Sequence, residues 1–322
     1  SMLMVCHTIH PMIIYQLAWL PLVIGVLYSA FFKNRIYLGI LSGLILGLSI
    51  LAGHPQSILY EFIFIGLFSL GFLVKSFKSK ELDTLRLIVS TLLTFILAYG
   101  IFTIQLLPAQ ELADLSQRSE INYEKATEGS LHFKQALTTF VPNLFGTVSG
   151  EDPRSASFYL AFEGVQGIHY FWETSFYFGV LIFALGLFSV LVGYRDIKVI
   201  IFATISLFGF LFSLGSNSFF YDIFYNLPYI NTFRMPARMM FFVTLGFSLL
   251  AGIGFDLLLD KTKKYRKELI IAFSIPLIMT LLISTGTLFE NFNTPDILKD
   301  SISSRAIGTI VILLLTFGIA FL

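Results

Sequence analysis

The sequence predicts an all-α polytopic membrane protein, and three observations carry that prediction. The 322 residues are 56% hydrophobic and only 13% charged, with a mean hydropathy of +0.81. A soluble domain carries about 25% charged residues. Apolar stretches of near 20 residues recur along the chain. The basic residues gather in alternate connections between those stretches. Together these features exclude an ordinary soluble enzyme, a disordered chain and a nucleic-acid binder with a basic face. Lys and Arg number 21 against 20 Asp and Glu, so charge acts here through placement. The lone cysteine, Cys6, excludes an internal disulfide and a cysteine-based zinc cage.

A bilayer core of about 30 Å takes about 20 apolar residues of helix. Nine stretches meet or approach that length: Met12–Phe32, Ile36–Gly53, Gln56–Val74, Leu85–Leu107, Thr174–Gly193, Ile197–Leu214, Ala237–Leu259, Leu269–Phe289 and Ala306–Leu322. Several are rich in β-branched residues. Within lipid, however, only helices and closed barrels satisfy the backbone. A barrel needs polar and apolar residues in alternation. Runs such as Leu44–Leu51 do not alternate, so nine transmembrane helices are expected.

Thirteen of the 21 basic residues lie in four alternate connections. They are Lys33 and Arg35; Lys75, Lys78, Lys80 and Arg86; Arg195 and Lys198; and Lys261, Lys263, Lys264, Arg266 and Lys267. The positive-inside rule makes these connections cytoplasmic. The N-terminus is then outside. Residues 1–11 show neither a signal peptide nor an acidic leader, and Leu322 falls inside an apolar run. The expectation is therefore an internal fragment of a longer protein.

On this topology residues 108–173 form one large extracytoplasmic loop. Its nine acidic and four basic residues leave a net charge of −5. Gln110–Arg118 should continue the fourth helix outward. Ser130–Val141 reads as an amphipathic helix lying on the membrane, with Ser130 as its cap and Leu131, Leu137, Phe140 and Val141 on one face. Pro142, Asn143, Gly146 and Gly150 should end it. Tyr159, Phe162, His169, Tyr170, Phe171 and Trp172 then return the chain through the aromatic belt of the interface.

The candidate chemistry sits at the outer ends of the helices. Pro236 suits a first helical position, where its missing N–H costs nothing. Arg234 and Arg238 flank that start. Two guanidiniums beside the positive end of a helix dipole suit a lipid-borne phosphate. The plainer alternative is snorkelling of both side chains to headgroups. His54 and Gln56 flank Pro55 at another helix start and could bond a hydroxylated or phosphorylated ligand. Glu61 lies one to two turns farther into the membrane, where a carboxylate is a functional candidate; the alternative is a pairing with a neighbouring helix. Glu61, Glu111, Asp114, Glu163 and Glu173 are the candidates for a general base acting on an acceptor hydroxyl. His7 and His10 have no third ligand nearby, so no metal site is expected. Gly39, Gly43 and Gly47 form a small-residue packing stripe. Gly252-Ile-Gly254 follows no strand and is not a dinucleotide loop.

Six segments occur in a recognisable order: Leu51-Ala-Gly-His-Pro-Gln56, Gln105-Leu-Leu-Pro-Ala-Gln-Glu111, Val141-Pro-Asn-Leu-Phe-Gly146, Leu214-Gly-Ser-Asn-Ser218, Leu227-Pro-Tyr-Ile-Asn-Thr-Phe-Arg-Met-Pro-Ala-Arg238 and Leu250-Ala-Gly-Ile-Gly-Phe-Asp256. The set resembles the YfhO family of bacterial multipass membrane proteins over about residues 15–260. The resemblance implies a GT-C-type glycosyltransferase of the bacterial cytoplasmic membrane. Such an enzyme moves a sugar from a polyprenyl-phosphate donor to a cell-envelope glycan or teichoic-acid acceptor on the outer face. Its partners would be the bilayer, the lipid-linked donor and the envelope acceptor, with no nucleic acid. A divalent metal is compatible with that chemistry, but nothing in the sequence supports one. The fold family keeps its key acid in the first extracytoplasmic loop, which would precede Ser1. No catalytic residue is therefore carried over, and the fragment alone is expected to be inactive. The rival expectations are a transporter or flippase of a lipid-linked or polar substrate, and a non-catalytic scaffold for envelope assembly.

Overall fold

The computed structural model describes residues 8, 10–33, 35–78, 82–114, 122–145, 173–227, 230–261, 264–285 and 296–321. Helices dominate, and the described residues include no strand. They fall into two compact units, His7–Asn122 and one built from Tyr123–Leu322. All nine predicted apolar stretches contain helix. Among the described residues, five helices are long and apolar enough to cross a membrane: Pro11–Phe32, Pro55–Lys78, Thr84–Leu112, Pro236–Leu259 and Arg266–Ser284. Four apolar helices are shorter: Tyr37–Ile50, Val180–Gly193, Ile197–Ser213 and Ala306–Gly318. A 14-residue helix such as Tyr37–Ile50 spans about 21 Å, less than the bilayer core.

The first unit contains α1 (Pro11–Leu17), α2 (Leu20–Phe32), α3 (Tyr37–Ile50), α4 (Pro55–Lys78) and α5 (Thr84–Asp114). The first predicted span is jointed. Pro21 lacks the N–H that would bond the Leu17 carbonyl, so the helix breaks at Ala18–Trp19 and restarts with proline in its first turn. The glycine stripe packs α3 on α5. A Cβ on Gly39 would lie 2.8 Å from the Ser90 backbone, and one on Gly43 would lie 2.9 Å from the Thr94 carbonyl oxygen. Thr94 Oγ1 donates to the Gly39 carbonyl at 3.1 Å across this contact. Phe64, Phe68 and Phe72 recur every four residues on α4 and are buried. Phe31 of α2 stacks on Phe68 with ring centroids 6.0 Å apart. As expected, α5 runs past Pro108, as far as Asp114.

The second unit begins with the single turn α6 (Tyr123–Ala126) and continues through α7 (Val180–Gly193), α8 (Ile197–Ser213), α9 (Phe219–Tyr225), α10 (Met240–Lys261), α11 (Arg266–Ser284) and α12 (Asp296–Phe321). Its core joins Val180, Ala184 and Phe188 of α7 to Ala251, Leu269, Phe273 and Leu313. Gly254 lets α10 approach α7, because a Cβ there would lie 2.2 Å from the Leu185 carbonyl oxygen. It is a packing glycine within an apolar helix.

Two predicted elements need correction. Helix α7 starts at Val180 rather than Thr174, because Gly179 holds φ at 107°, outside the helical region. The predicted amphipathic helix over 130–141 is a 3-10 helix, Phe133–Thr139, capped by His132 and not by Ser130. His132 Nδ1 accepts from Lys134 N at 3.2 Å, while Gln135 Oε1 accepts from His132 N at 2.7 Å. Burial, and then the charge on Lys134, hold the imidazole below its ordinary pKa, which keeps Nδ1 an acceptor. Leu131 and Val141 are buried within the unit.

Many large apolar side chains remain exposed. On α5, Leu85, Ile88, Leu92, Ile96 and Tyr99 form one exposed stripe, repeating at three- and four-residue steps. An apolar patch that long is rare on a soluble monomer, and lipid covers it without cost.

Candidate functional site

In the first unit, a polar network crosses the bundle near the start of α4. The Glu61 carboxylate is fully buried. Gln16 Nε2 of α1 donates to Glu61 Oε2 at 2.9 Å, and Ser49 Oγ of α3 lies 3.3 Å from the same oxygen. Gln16 Oε1 in turn accepts from His54 N at 3.3 Å. One carboxylate thus links three helices through neutral donors, and among the described residues no cation pairs with it.

His54 and Gln56 are placed at the head of α4 as predicted, but each already has structural work. His54 Nδ1 accepts from Ser57 N at 3.2 Å and so caps the helix. Gln56 is buried and donates to Tyr60 Oη at 2.6 Å, one turn on.

In the second unit, three segments meet beside the start of α10. Met235 N donates to the Glu128 carbonyl at 3.0 Å, and Leu131 N to the Ser213 carbonyl at 2.8 Å. Asn217 Nδ2 donates to the Leu131 carbonyl at 3.1 Å. Residues 128–131, 213–217 and 235–237 are therefore knotted together through the backbone. The knot leaves no room at Gly129, where φ is 71° and a Cβ would sit 2.3 Å from Met235 Sδ. Met235 itself adopts a left-handed φ of 64° and turns the chain into Pro236, which opens a 3-10 turn ahead of α10.

Both predicted arginines project from this knot, and each meets a carboxylate. Arg238 binds Glu173 through Nε at 2.8 Å and through Nη2, a two-pronged pair. Glu173 is 1% exposed and the Arg238 side chain 18%. Arg234 Nη1 meets Glu128 Oε2 at 3.3 Å, and its side chain is 46% exposed. The two cations are thus unequal: Arg238 is fixed in the interior, while Arg234 stands at the surface on a looser partner.

Beside this pair, Tyr123 Oη donates to Asp222 Oδ1 of α9, and its ring meets that of Tyr225 edge-on at 5.0 Å. Burial, and then the hydrogen bond to the Asp222 carboxylate, push the Tyr123 phenol up to about 12.

The other predicted carboxylates divide as follows. Glu111 is exposed near the end of α5. Asp114 ends that helix, but its side chain, like Glu163 and His7, lies outside the described residues. Glu173 is close to the arginines, but its geometry suits an ion-pair partner better than a solvated base. Among the described residues no group of three His, Cys, Asp or Glu side chains could hold a metal ion. Sequence reasoning missed Glu128, Gln16 and Ser49. Gln16 carried a signal, as an amide within an apolar run; Glu128 carried none.

Comparison of the chain with family models, with curated proteins and with solved structures finds no match in any of the three.

Proposed function

We propose that the chain belongs to a GT-C-type glycosyltransferase of the bacterial cytoplasmic membrane, with nine spans and the 108–173 loop outside. Its donor would be a polyprenyl-phosphate sugar and its acceptor a hydroxyl of an envelope glycan or teichoic acid. In that reaction the acceptor oxygen attacks the anomeric carbon, the bond to the phosphate oxygen breaks, and the hydroxyl proton passes to a base. The departing lipid phosphate needs fixed cations at the membrane surface.

One observation carries the reading: two arginines held by carboxylates at the head of an apolar helix. Arg234 is the phosphate ligand in this arrangement. It can exchange Glu128 for a phosphate oxygen with little loss, because an exposed ion pair contributes only ~0–1 kcal/mol. Arg238 is a positioning residue whose pair with Glu173 fixes the turn that presents Arg234. The net −5 of the loop suits a polar vestibule for a hydroxylated acceptor. The base is not assigned to this chain.

The test is transfer of radiolabel from polyprenyl-phosphate sugars to an envelope fraction by the full-length protein and by Arg234→Gln. Transfer by the wild type and its loss in a stably folded Arg234→Gln variant are expected. Undiminished transfer by that variant would remove Arg234 from the site. No transfer with any sugar would return the chain to the transport and scaffold readings.

A further inference from the structure

Away from that site, a groove of about 490 Å³ opens between the starts of α3 and α5. Arg35, Ile36 and Tyr37 line one side, and Asp83, Leu85 and Arg86 the other. Among the described residues that line it, two cations face one anion. Arg86 Nη2 pairs with Asp83 at 3.1 Å. Arg35 Nη1 donates to Tyr37 Oη at 3.0 Å and, among the described residues, makes no ion pair. The guanidinium keeps further N–H donors in a planar fork that matches phosphate oxygens.

The walls around these charges are apolar and open. Leu85 is 70% exposed, Tyr37 53% and Ile36 46%. The exposed apolar faces of both helices begin here. Ile40, Leu44 and Leu48 continue from Tyr37 along α3, while Ile88, Leu92 and Ile96 continue from Leu85 along α5. A ligand that fits must therefore carry an anionic head and a long apolar tail lying along those stripes. A free phosphate would use the head contacts alone, and a zwitterionic lipid would bring its own cation beside the arginines.

We propose that this groove is a binding site for the phosphate headgroup of an anionic glycerophospholipid, with Arg35 and Arg86 as its ligands and Tyr37 at its rim. The site is distinct from the Arg234 corner and does not depend on glycosyl transfer. Removing either arginine should weaken retention of the lipid roughly fivefold, and removing both roughly 30-fold, since a basic side chain near a charged headgroup contributes about 1 kcal/mol.

The experiment is native mass spectrometry of the full chain released from micelles doped with phosphatidylglycerol, with tail-matched phosphatidylcholine, or with inorganic phosphate. The wild type should retain phosphatidylglycerol in preference to phosphatidylcholine. Arg35→Gln and the double variant with Arg86→Gln should lose that preference, while Lys264→Gln, on another basic connection, should keep it. Arg35→Gln disturbs no ion pair among the described residues, so it remains informative if the double variant folds poorly. An unchanged preference in Arg35→Gln would overturn the proposal, as would equal loss in Lys264→Gln. Abolition of lipid retention by millimolar inorganic phosphate would reassign the groove to a free anion.

Discussion

Replacing Glu173 with Gln should destabilise the chain far more than replacing Glu128 with Gln, although both carboxylates pair with an arginine of the same turn. The difference follows from burial. Glu173 is 1% and Arg238 18% exposed, against 25% and 46% for Glu128 and Arg234. Removing one partner of a buried pair leaves the other charge desolvated, at a cost of ~3–5 kcal/mol. Gln retains one acceptor for the guanidinium, which places Glu173→Gln at the lower edge, ~3 kcal/mol. For a unit of this size each kcal/mol moves Tm by about 2–4 °C, so a fall of ~6–12 °C is expected. Glu128→Gln should change stability by less than ~1 kcal/mol, because solvent screens an exposed pair. The double variant Glu173→Met with Arg238→Met should recover most of the loss, since a buried ion pair and an apolar pair of similar volume are often close in energy. The assay is thermal unfolding of the full chain in detergent, followed by far-ultraviolet circular dichroism. Equal Tm values for Glu173→Gln and the wild type would refute the argument. So would a double variant no more stable than the worse single one.

Three further outcomes are expected. Gly43→Val should push α3 off α5, because its Cβ would lie 2.9 Å from the Thr94 carbonyl oxygen; a loss of ~1–3 kcal/mol in thermal unfolding checks it. Glu61→Leu should strand the donors of Gln16 and Ser49 and cost ~1–3 kcal/mol, whereas Glu61→Gln, which keeps an acceptor, should cost less; equal stabilities for the two variants would remove Glu61 from the network. The Tyr123 phenol, held up to about 12, should remain protonated where an ordinary tyrosine near 10 ionises. Its raised pKa contributes stability that is complete below pH 10 and lost as pH rises through 12. Ultraviolet difference titration of wild type against Asp222→Asn should show one phenol returning toward the ordinary range.

Periodicity and hydropathy made the helices legible, because each depends on a local run of side chains. The glycine stripe was legible for the same reason: spacing by four puts Gly39, Gly43 and Gly47 on one face whatever that face meets. The misplaced start of α7 has a local cause that hydropathy does not register. Thr174–Phe178 are apolar enough to belong to a span, yet the positive φ of Gly179 delays the start of the helix to Val180. The 3-10 helix at 133–139 was obscured because Ser130 is of the ordinary capping type and His132, which caps it, is not. The choice is made by Ser216, whose N–H takes Ser130 Oγ from 86 residues away. Contacts of that separation leave no trace in a local pattern, and the Glu128–Arg234 and Glu173–Arg238 pairs are of the same kind.

Those two pairs also alter what the arginines can do. From spacing alone, Arg234 and Arg238 were equivalent cations four residues apart, both available to a phosphate. The geometry separates them. A phosphate approaching Arg238 must displace a carboxylate that is bound twice and buried. At Arg234 it replaces a carboxylate in a pair already open to solvent. If the site works on lipid phosphates, substitution of Arg234 should therefore act on binding at constant stability, and substitution of Arg238 should act on both together. Donor titrations of Arg234→Gln and Arg238→Lys, each paired with its Tm, separate the two roles. A stable Arg238→Lys variant with weakened donor binding, beside an Arg234→Gln variant with normal binding, would reverse the assignment.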